Sequence, residues 1–101
     1  MPLFLIERNF SERLELSKGD VSEMLTVEAD VGITWLFSFL STDKKKTYCV
    51  YEAPSAELIR EAADRLNEPA DSIIEMGEVL PGTLPQATLK SAFPRHLTEY
   101  E

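Results

Sequence analysis

The hydrophobic positions of the chain repeat with two different periods, which alternate along the sequence. Short runs rich in apolar, β-branched and aromatic residues at positions 3–7, 33–41, 47–52 and 72–80 predict four strands. Between the first two and between the last two runs, apolar residues recur three and four positions apart, which predicts two amphipathic helices. A polar turn at positions 42–45 predicts that the two middle strands form a hairpin.

Local signals mark the ends of both predicted helices. Asp20, followed three residues later by Glu23, is typical of a capping box, and Gly32 is typical of a helix end. Ser55 is a suitable cap for the second helix, which the Asn-Glu-Pro sequence at 67–69 ends. The resulting order predicts an α+β fold of the ferredoxin-like βαββαβ type, with a four-stranded antiparallel sheet and two helices on one face.

The same order divides the chain into two parts. Residues 1–80 are predicted to form the ferredoxin-like domain. Residues 81–101 are predicted to form an extended C-terminal tail that packs on the domain or on a partner subunit, because Pro85 and Pro94 interrupt regular structure there. Four apolar residues are available to attach this tail to a surface: Leu84, Leu89, Phe93 and Leu97.

Both faces of the predicted sheet carry bulky side chains, although two helices cover only one face. Alternation along the strands assigns to the helix side Phe4, Ile6, Leu36, Leu40 and Val50. It assigns to the open side Leu3, Leu5, Glu7, Trp35, Phe37, Phe39, Cys49 and Tyr51. An uncovered apolar face predicts a homodimer through the open sheet face, as in a dimeric α+β barrel. The alternative is that the C-terminal tail folds over this face.

A ligand-binding cleft is expected on the same open face. Its candidate residues are Glu7, Trp35, Phe37, Cys49 and Tyr51. Glu7 is the unusual member, because a carboxylate among aromatic side chains must be paired, hydrated or protonated. It is either a strand-end residue that reaches water or a salt-bridge partner, or it is a ligand or acid–base group of the cleft.

Composition and charge exclude several classes of partner. The chain has ten basic and eighteen acidic residues, a net charge of −8, so it repels nucleic acid and anionic membrane surfaces. No apolar run approaches the ~20 residues that span a bilayer, and the first ten residues lack the features of a signal peptide. Because there is one cysteine and no export signal, the expected location is the cytoplasm.

Four blocks of the sequence resemble a family of small bacterial proteins. They are residues 6–10 (IERNF), 32–35 (GITW), 46–55 (KTYCVYEAPS) and 69–75 (PADSIIE). The family is a domain of unknown function related to nickel-binding, nickel-responsive proteins that form ferredoxin-like dimers, and the resemblance extends over about residues 3–80. It implies the same fold, a homodimer, and nickel or another divalent metal as the cofactor.

The histidines that the resemblance implies are replaced in this chain. Family members commonly carry a histidine in the second strand, where this chain has Phe37. The nickel-binding branch carries more on strand one and near helix two, a neighbourhood that holds Ala63 and Glu68 here. Nickel accepts imidazole and comparable N/O donors. The remaining candidate metal ligands are Glu7, Cys49, Glu52 and His96, which is the one histidine of the chain.

Three functions are consistent with these residues. The preferred one is a non-catalytic dimeric binding protein that holds a metal or a small ligand in the cleft. The second is a cofactor-poor enzyme of the dimeric α+β barrel type, with Glu7 as base beside Trp35 and Tyr51. No nucleophile–base pair is visible in the sequence, so no catalytic residue is assigned. The third is a purely structural interaction module.

Overall fold

The computed structural model describes residues 1–99. Its sheet has four antiparallel strands: β1 Leu3–Asn9, β2 Thr34–Leu40, β3 Lys46–Glu52 and β4 Ser72–Met76. The helices are α1 Lys18–Val31, α2 Ala56–Leu66 and α3 Gln86–Ala92. The strand order β2-β3-β1-β4 is that of the ferredoxin-like fold, so the predicted fold is confirmed. Within residues 1–99, no helix combines the length and the apolar character needed to cross a bilayer.

Helix α1 begins earlier than predicted because a different capping box starts it. The Oγ of Ser17 accepts a hydrogen bond from the backbone N–H of Asp20 at 3.1 Å, and the Asp20 carboxylate accepts one from the Ser17 N–H at 2.9 Å. Asp20 is therefore the third helical residue and not the cap. The predicted helix ends are correct: Gly32 (φ 90°) and Asn67 (φ 53°) both adopt the left-handed conformation that closes a helix.

The main core lies between α1, α2 and one face of the sheet, which we call the helix side. Its buried members include Phe4, Ile6, Ile33, Cys49, Tyr51, Ile59 and Ala62. The strand register explains the composition of this core. Phe4 lies opposite Tyr51 and Ile6 lies opposite Cys49, and cross-strand partners point to the same face.

The predicted faces are consequently wrong for five residues. Trp35, Cys49 and Tyr51 lie on the helix side, whereas Leu36 and Val50 pack on the opposite face. In β2 the cause is a bulge between Trp35 and Phe37, which interrupts the alternation of side chains. In β3 both faces are bulky, so alternation alone does not identify the inner one. The other predicted faces agree with the strand register.

The opposite face of the sheet, here called the tail face, is partly covered by residues 79–97. The sequence predicts an extended chain in this region, whereas the structure contains helix α3. Leu89 of α3 and the following Phe93 are buried against Leu3 of β1. Phe93 also makes an edge-to-face contact with Phe37, with ring centroids 5.8 Å apart. The C-terminal segment therefore packs on the domain of its own chain.

Backbone and side-chain contacts hold the end of this segment. The Val79 N–H donates to the carbonyl of His96 at 2.7 Å, and the Thr98 N–H donates to the carbonyl of Val79 at 2.9 Å. The side chain of His96 lies with its Nε2 3.5 Å from Oε2 of Glu52, the last residue of β3. These contacts bring residues on both sides of α3 together at one end of the sheet.

Part of the tail face is left without a cover in the described structure. Phe39 is 67% exposed and Ile74 is 52% exposed, and both Phe37 and Tyr48 are 37% exposed. We call these four residues the exposed strip. Phe37, Phe39 and Tyr48 lie on the neighbouring strands β2 and β3. Ile74 lies on β4 of the same face, where the half-buried Leu5 of β1 separates it from the other three.

We expect Phe93→Ala to lower the free energy of unfolding by about 3 kcal/mol, because removal of the buried ring leaves a cavity against β1 and β2. Urea unfolding followed by circular dichroism measures this change. The matched control is Leu84→Ala, which removes a side chain of the same segment that is 62% exposed and should leave the midpoint almost unchanged. Equal midpoints for the two variants would contradict the packing described for the tail face.

Candidate functional site

A cavity of about 360 Å³ lies between the two long helices and the helix side of the sheet. We call it the helix-side cavity. Its floor is formed by strand residues, among them Arg8, Trp35, Ser38, Thr47, Cys49 and Tyr51. Its walls are mainly apolar and include Phe10, Leu14, Leu16, Met24 and Leu66. This volume lies in the range of small-molecule sites, which is about 300–1,000 Å³.

The loop between β1 and α1 forms one wall of the cavity because it is attached to the β2–β3 turn. The N–H of Phe10 donates to the carbonyl of Lys45 at 2.8 Å, and the N–H of Leu14 donates to the carbonyl of Lys44 at 2.7 Å. Lys44 has a left-handed backbone (φ 60°), which the tight turn requires. The turn therefore acts as a fixed support that places Phe10 and Leu14 at the cavity.

A buried polar cluster extends from the floor of the cavity into the core. Arg8 is only 4% exposed, and its Nη1 donates to the carbonyl of Pro69 at 2.6 Å and lies 3.6 Å from Oε2 of Glu68. The guanidinium carbon is 6.0 Å from the centre of the Tyr51 ring, within cation–π range. The hydroxyl of Tyr51 donates to Oε2 of Glu28. The four ionisable side chains thus form one continuous chain of contacts.

Burial controls the protonation of this cluster. Burial raises the pKa of the Glu28 carboxyl, and the hydrogen bond from Tyr51 opposes this shift in part. Burial likewise raises the pKa of Glu68, with the nearby Arg8 charge acting in the other direction. The pKa of Tyr51 is raised by burial and by its hydrogen bond to Glu28, so Tyr51 remains a neutral donor. Oε1 of Glu28 is buried without a hydrogen-bond partner among residues 1–99.

Sequence reasoning missed Arg8, Glu28 and Glu68 as members of a site. Glu28 is the one residue of α1 that is fully buried, although it is charged. It lies four residues after Met24 and seven after Val21, which is the spacing of an inward-facing helix position. A charged residue at that spacing was the available signal. Arg8 has the corresponding signal in β1, where it shares the face of the buried Ile6.

The structure divides the five predicted ligand-binding residues between the two faces of the sheet. Trp35, Cys49 and Tyr51 line the helix-side cavity, whereas Glu7 and Phe37 lie on the tail face. Oε1 of Glu7 lies 3.7 Å from Nζ of Lys46. Of the two alternatives given for Glu7, a strand-end residue with a salt-bridge partner or an acid–base group of the cleft, this contact corresponds to the first. Glu7 therefore does not lie beside Trp35 and Tyr51, as the catalytic alternative requires, because the sheet separates it from them.

The four candidate metal ligands lie in three separate places. Glu7 contacts Lys46 on the tail face, and the thiol of Cys49 donates to Oγ1 of Thr47 at 3.5 Å on the helix side. Glu52 and His96 contact each other at the end of the sheet. In the part of the chain that the structure describes, no three His, Cys, Asp or Glu side chains are grouped closely enough to hold a metal ion. These residues do not fit a nickel site built from several protein ligands.

Comparisons with known proteins agree with the fold. The sequence model of the family described as nickel responsive protein SCO4226-like matches residues 4–76. The crystal structure of SCO4226 from Streptomyces coelicolor A3(2) is similar to this chain, with a TM-score of 0.66 and 22% sequence identity. The similarity covers 76% of this chain and 98% of that chain. No curated protein matches the sequence. Helix α3 lies outside the residues that the family model matches.

We expect Glu28→Gln to change the pH dependence of stability. Because the folded protein raises the pKa of Glu28 above its ordinary value of 4.5, folding binds protons in the window above that value. The stability that this carboxyl contributes therefore falls as pH rises from about 4.5 through the raised pKa. Glutamine does not titrate, and its side-chain oxygen still accepts the Tyr51 hydrogen bond.

The free energy of unfolding of the variant minus that of the parent protein should consequently be larger at pH 7 than at pH 4. Urea unfolding at both pH values measures the difference. Glu61→Gln, on the exposed side of α2, is the control and should show no such dependence. The same stability difference at both pH values for Glu28→Gln would contradict the assignment.

Proposed function

The chain belongs to the family described as nickel responsive protein SCO4226-like, and from this starting point we propose that it is a non-catalytic binding protein whose ligand site is the helix-side cavity. The observation that carries the proposal is a cavity of about 360 Å³ with apolar walls and a buried polar cluster at its floor. Buried ionisable groups oppose folding unless they are paired, so their presence beside a cavity favours a ligand-binding role.

The ligand that we propose is a small, mainly apolar molecule. The apolar walls offer contact area to such a molecule, and Trp35 and Tyr51 add aromatic surface at the floor. A nickel ion held by several side chains is the less favoured ligand, because the candidate donors Glu7, Cys49 and Glu52 lie in separate places. The cleft that we propose thus lies on the other side of the sheet from the one the sequence predicts.

Binding is favoured over catalysis by the position of the possible proton-transfer groups. The only histidine of the chain, His96, lies at the tail face, and the sheet separates it from the cavity. The Cys49 thiol reaches the cavity, but its hydrogen bond goes to the Thr47 hydroxyl and not to a base. Cys49 is a buried free thiol, which supports a reducing compartment such as the cytoplasm as the location.

We also propose that the protein forms a homodimer through the exposed strip. Its four residues, Phe37, Phe39, Tyr48 and Ile74, are exposed apolar side chains on a face that α3 covers only in part. Continuous apolar patches are uncommon on soluble monomers and mark contact surfaces. A two-fold pairing of strip against strip buries the same residues on both copies.

The cavity proposal predicts that an apolar probe changes the fluorescence of Trp35. Trp35 is the only tryptophan of the chain and lines the cavity, so it reports on occupancy. Addition of 3-phenylpropan-1-ol should shift the emission of the parent protein. Leu66→Phe narrows the cavity and should weaken this response, whereas Leu84→Phe, outside the cavity, should leave it intact.

Calorimetric titration of protein without a His-tag provides the second readout for the same proposal. The alcohol should release or absorb measurable heat, and nickel, cobalt and zinc chloride should show no micromolar binding. Absence of any response to the alcohol by fluorescence and calorimetry would contradict a small-molecule site. Micromolar nickel binding that survives Leu66→Phe would favour the metal function instead.

The dimer proposal predicts that Phe39→Asp shifts the protein toward the monomer, because it places a charge within an apolar contact. Sedimentation velocity over a range of concentrations measures the mass. Leu84→Asp introduces the same charge at an exposed position outside the strip and should not alter the assembly. A monomeric parent protein, or a dimer unchanged by Phe39→Asp, would contradict the interface.

A further inference from the structure

We propose that the helix-side cavity selects molecules with a carboxylate or carbonyl oxygen on a small apolar body, and that Arg8 is the anchor for this oxygen. The inference rests on the proposed function and adds the chemical class of the ligand. Its support is that hydroxyl and guanidinium groups at the cavity floor can donate hydrogen bonds to a ligand.

Two hydroxyl groups of the floor retain hydrogens for a ligand. The indole Nε1 of Trp35 donates to Oγ of Ser38 at 2.8 Å, and because an indole N–H can only donate, Ser38 is the acceptor in this bond. Cys49 donates to Oγ1 of Thr47 at 3.5 Å, so that hydroxyl is also an acceptor there. Each hydroxyl therefore has its own O–H left to donate, and both side chains line the cavity.

The guanidinium of Arg8 adds stronger donors to the same floor. Its contacts to the Pro69 carbonyl and to the Glu68 carboxylate both involve Nη1, and the Cys49 thiol is a further neighbour of the guanidinium. Within residues 1–99, no oxygen atom is hydrogen-bonded to Nε or Nη2, so these N–H groups can donate to a ligand oxygen. The side chain of Arg8 is almost completely buried, so a ligand oxygen is the acceptor that the cavity can bring to these groups. Charge-assisted bonds of this kind are stronger than bonds between neutral groups.

Glu68 does not saturate this guanidinium. Its oxygen lies 3.6 Å from Nη1, which is longer than the ~2.7–2.9 Å of a charge-assisted hydrogen bond. Asp20 and Glu23 of α1 also line the cavity, and their charges repel phosphates and other multiply charged anions. One carboxylate or one neutral carbonyl satisfies the donors of the floor without a large repulsion.

The walls define the rest of the molecule. Side chains from the β1–α1 loop, α1 and α2 are apolar where they face the cavity, and they include Phe10, Leu14, Met24 and Leu66. An apolar body of one ring or a short aliphatic chain gains contact area there. The polar end then points to Arg8 and the apolar body to the helices, which fixes the orientation of the ligand.

Three probes with the same skeleton test the inference. Calorimetry and Trp35 fluorescence at pH 7 compare 3-phenylpropanoate, 3-phenylpropanamide and 3-phenylpropylamine. The carboxylate and the amide should bind more tightly than the amine, which carries only donors at this pH. If the three probes bind equally, or the amine binds best, the inference is wrong while the cavity remains a binding site. If none of the three binds while 3-phenylpropan-1-ol does, the inference is likewise wrong; if the alcohol also fails to bind, the proposed function itself is wrong.

Two substitutions of the anchor region give opposite expected results. Arg8→Met should weaken 3-phenylpropanoate about tenfold because it removes a charged donor, and it should not weaken the amine, whose positive charge Arg8 repels. Glu68→Gln keeps the shape of the side chain and removes the competing charge, so it should strengthen binding of the carboxylate. Circular dichroism checks that each variant is folded. Carboxylate affinity that is unchanged or lower in folded Glu68→Gln protein overturns the assignment of Arg8 as anchor.

Discussion

The pairing of β1 with β3 determines the two surfaces on which the rest of the molecule depends. Phe4 and Ile6 lie opposite Tyr51 and Cys49, and this face receives α1 and α2 and forms the cavity floor. The alternate residues, represented by Leu5, point to the face that α3 partly covers. Because strand side chains alternate, a shift of one residue in this register would exchange the two faces. Cavity and tail face therefore follow from the same set of backbone hydrogen bonds.

The order of the elements is predictable from the sequence because each element has a period and a stop signal of its own. The assignment of faces is less predictable, since it depends on an uninterrupted alternation. The bulge between Trp35 and Phe37 breaks that alternation in β2, and nothing in the local sequence distinguishes a bulge from a regular strand with aromatic residues on both faces. The bulge therefore accounts for the wrong predicted face of Trp35, and the bulky side chains on both faces of β3 account for those of Cys49 and Tyr51. The structure brings these three predicted residues together on the helix side.

Helix α3 and the buried charged cluster are not predicted from the sequence for another reason. Both depend on contacts between residues that lie far apart in the chain. Helix α3 has seven residues and no side-chain cap, so burial of Leu89 and Phe93 supplies the stability that its local sequence lacks. Arg8 and Glu68 are sixty positions apart in the chain and meet only when α2 ends beside β1. Periodicity detects where apolar residues are repeated, and it carries no information on which distant charges will share a buried site.

Two features that the family resemblance does not imply meet on the tail face. The resemblance implies a histidine at the position of Phe37, and the C-terminal segment with α3 lies outside the residues that the family model matches. In this chain Phe37 packs against Phe93 of that segment, with the ring centroids 5.8 Å apart. An imidazole at this position would bring a polar group into the apolar contact that holds the segment. Phe37 and the added cover are thus coupled through packing, and the buried cluster with Arg8 lies on the opposite face, where we propose the ligand site.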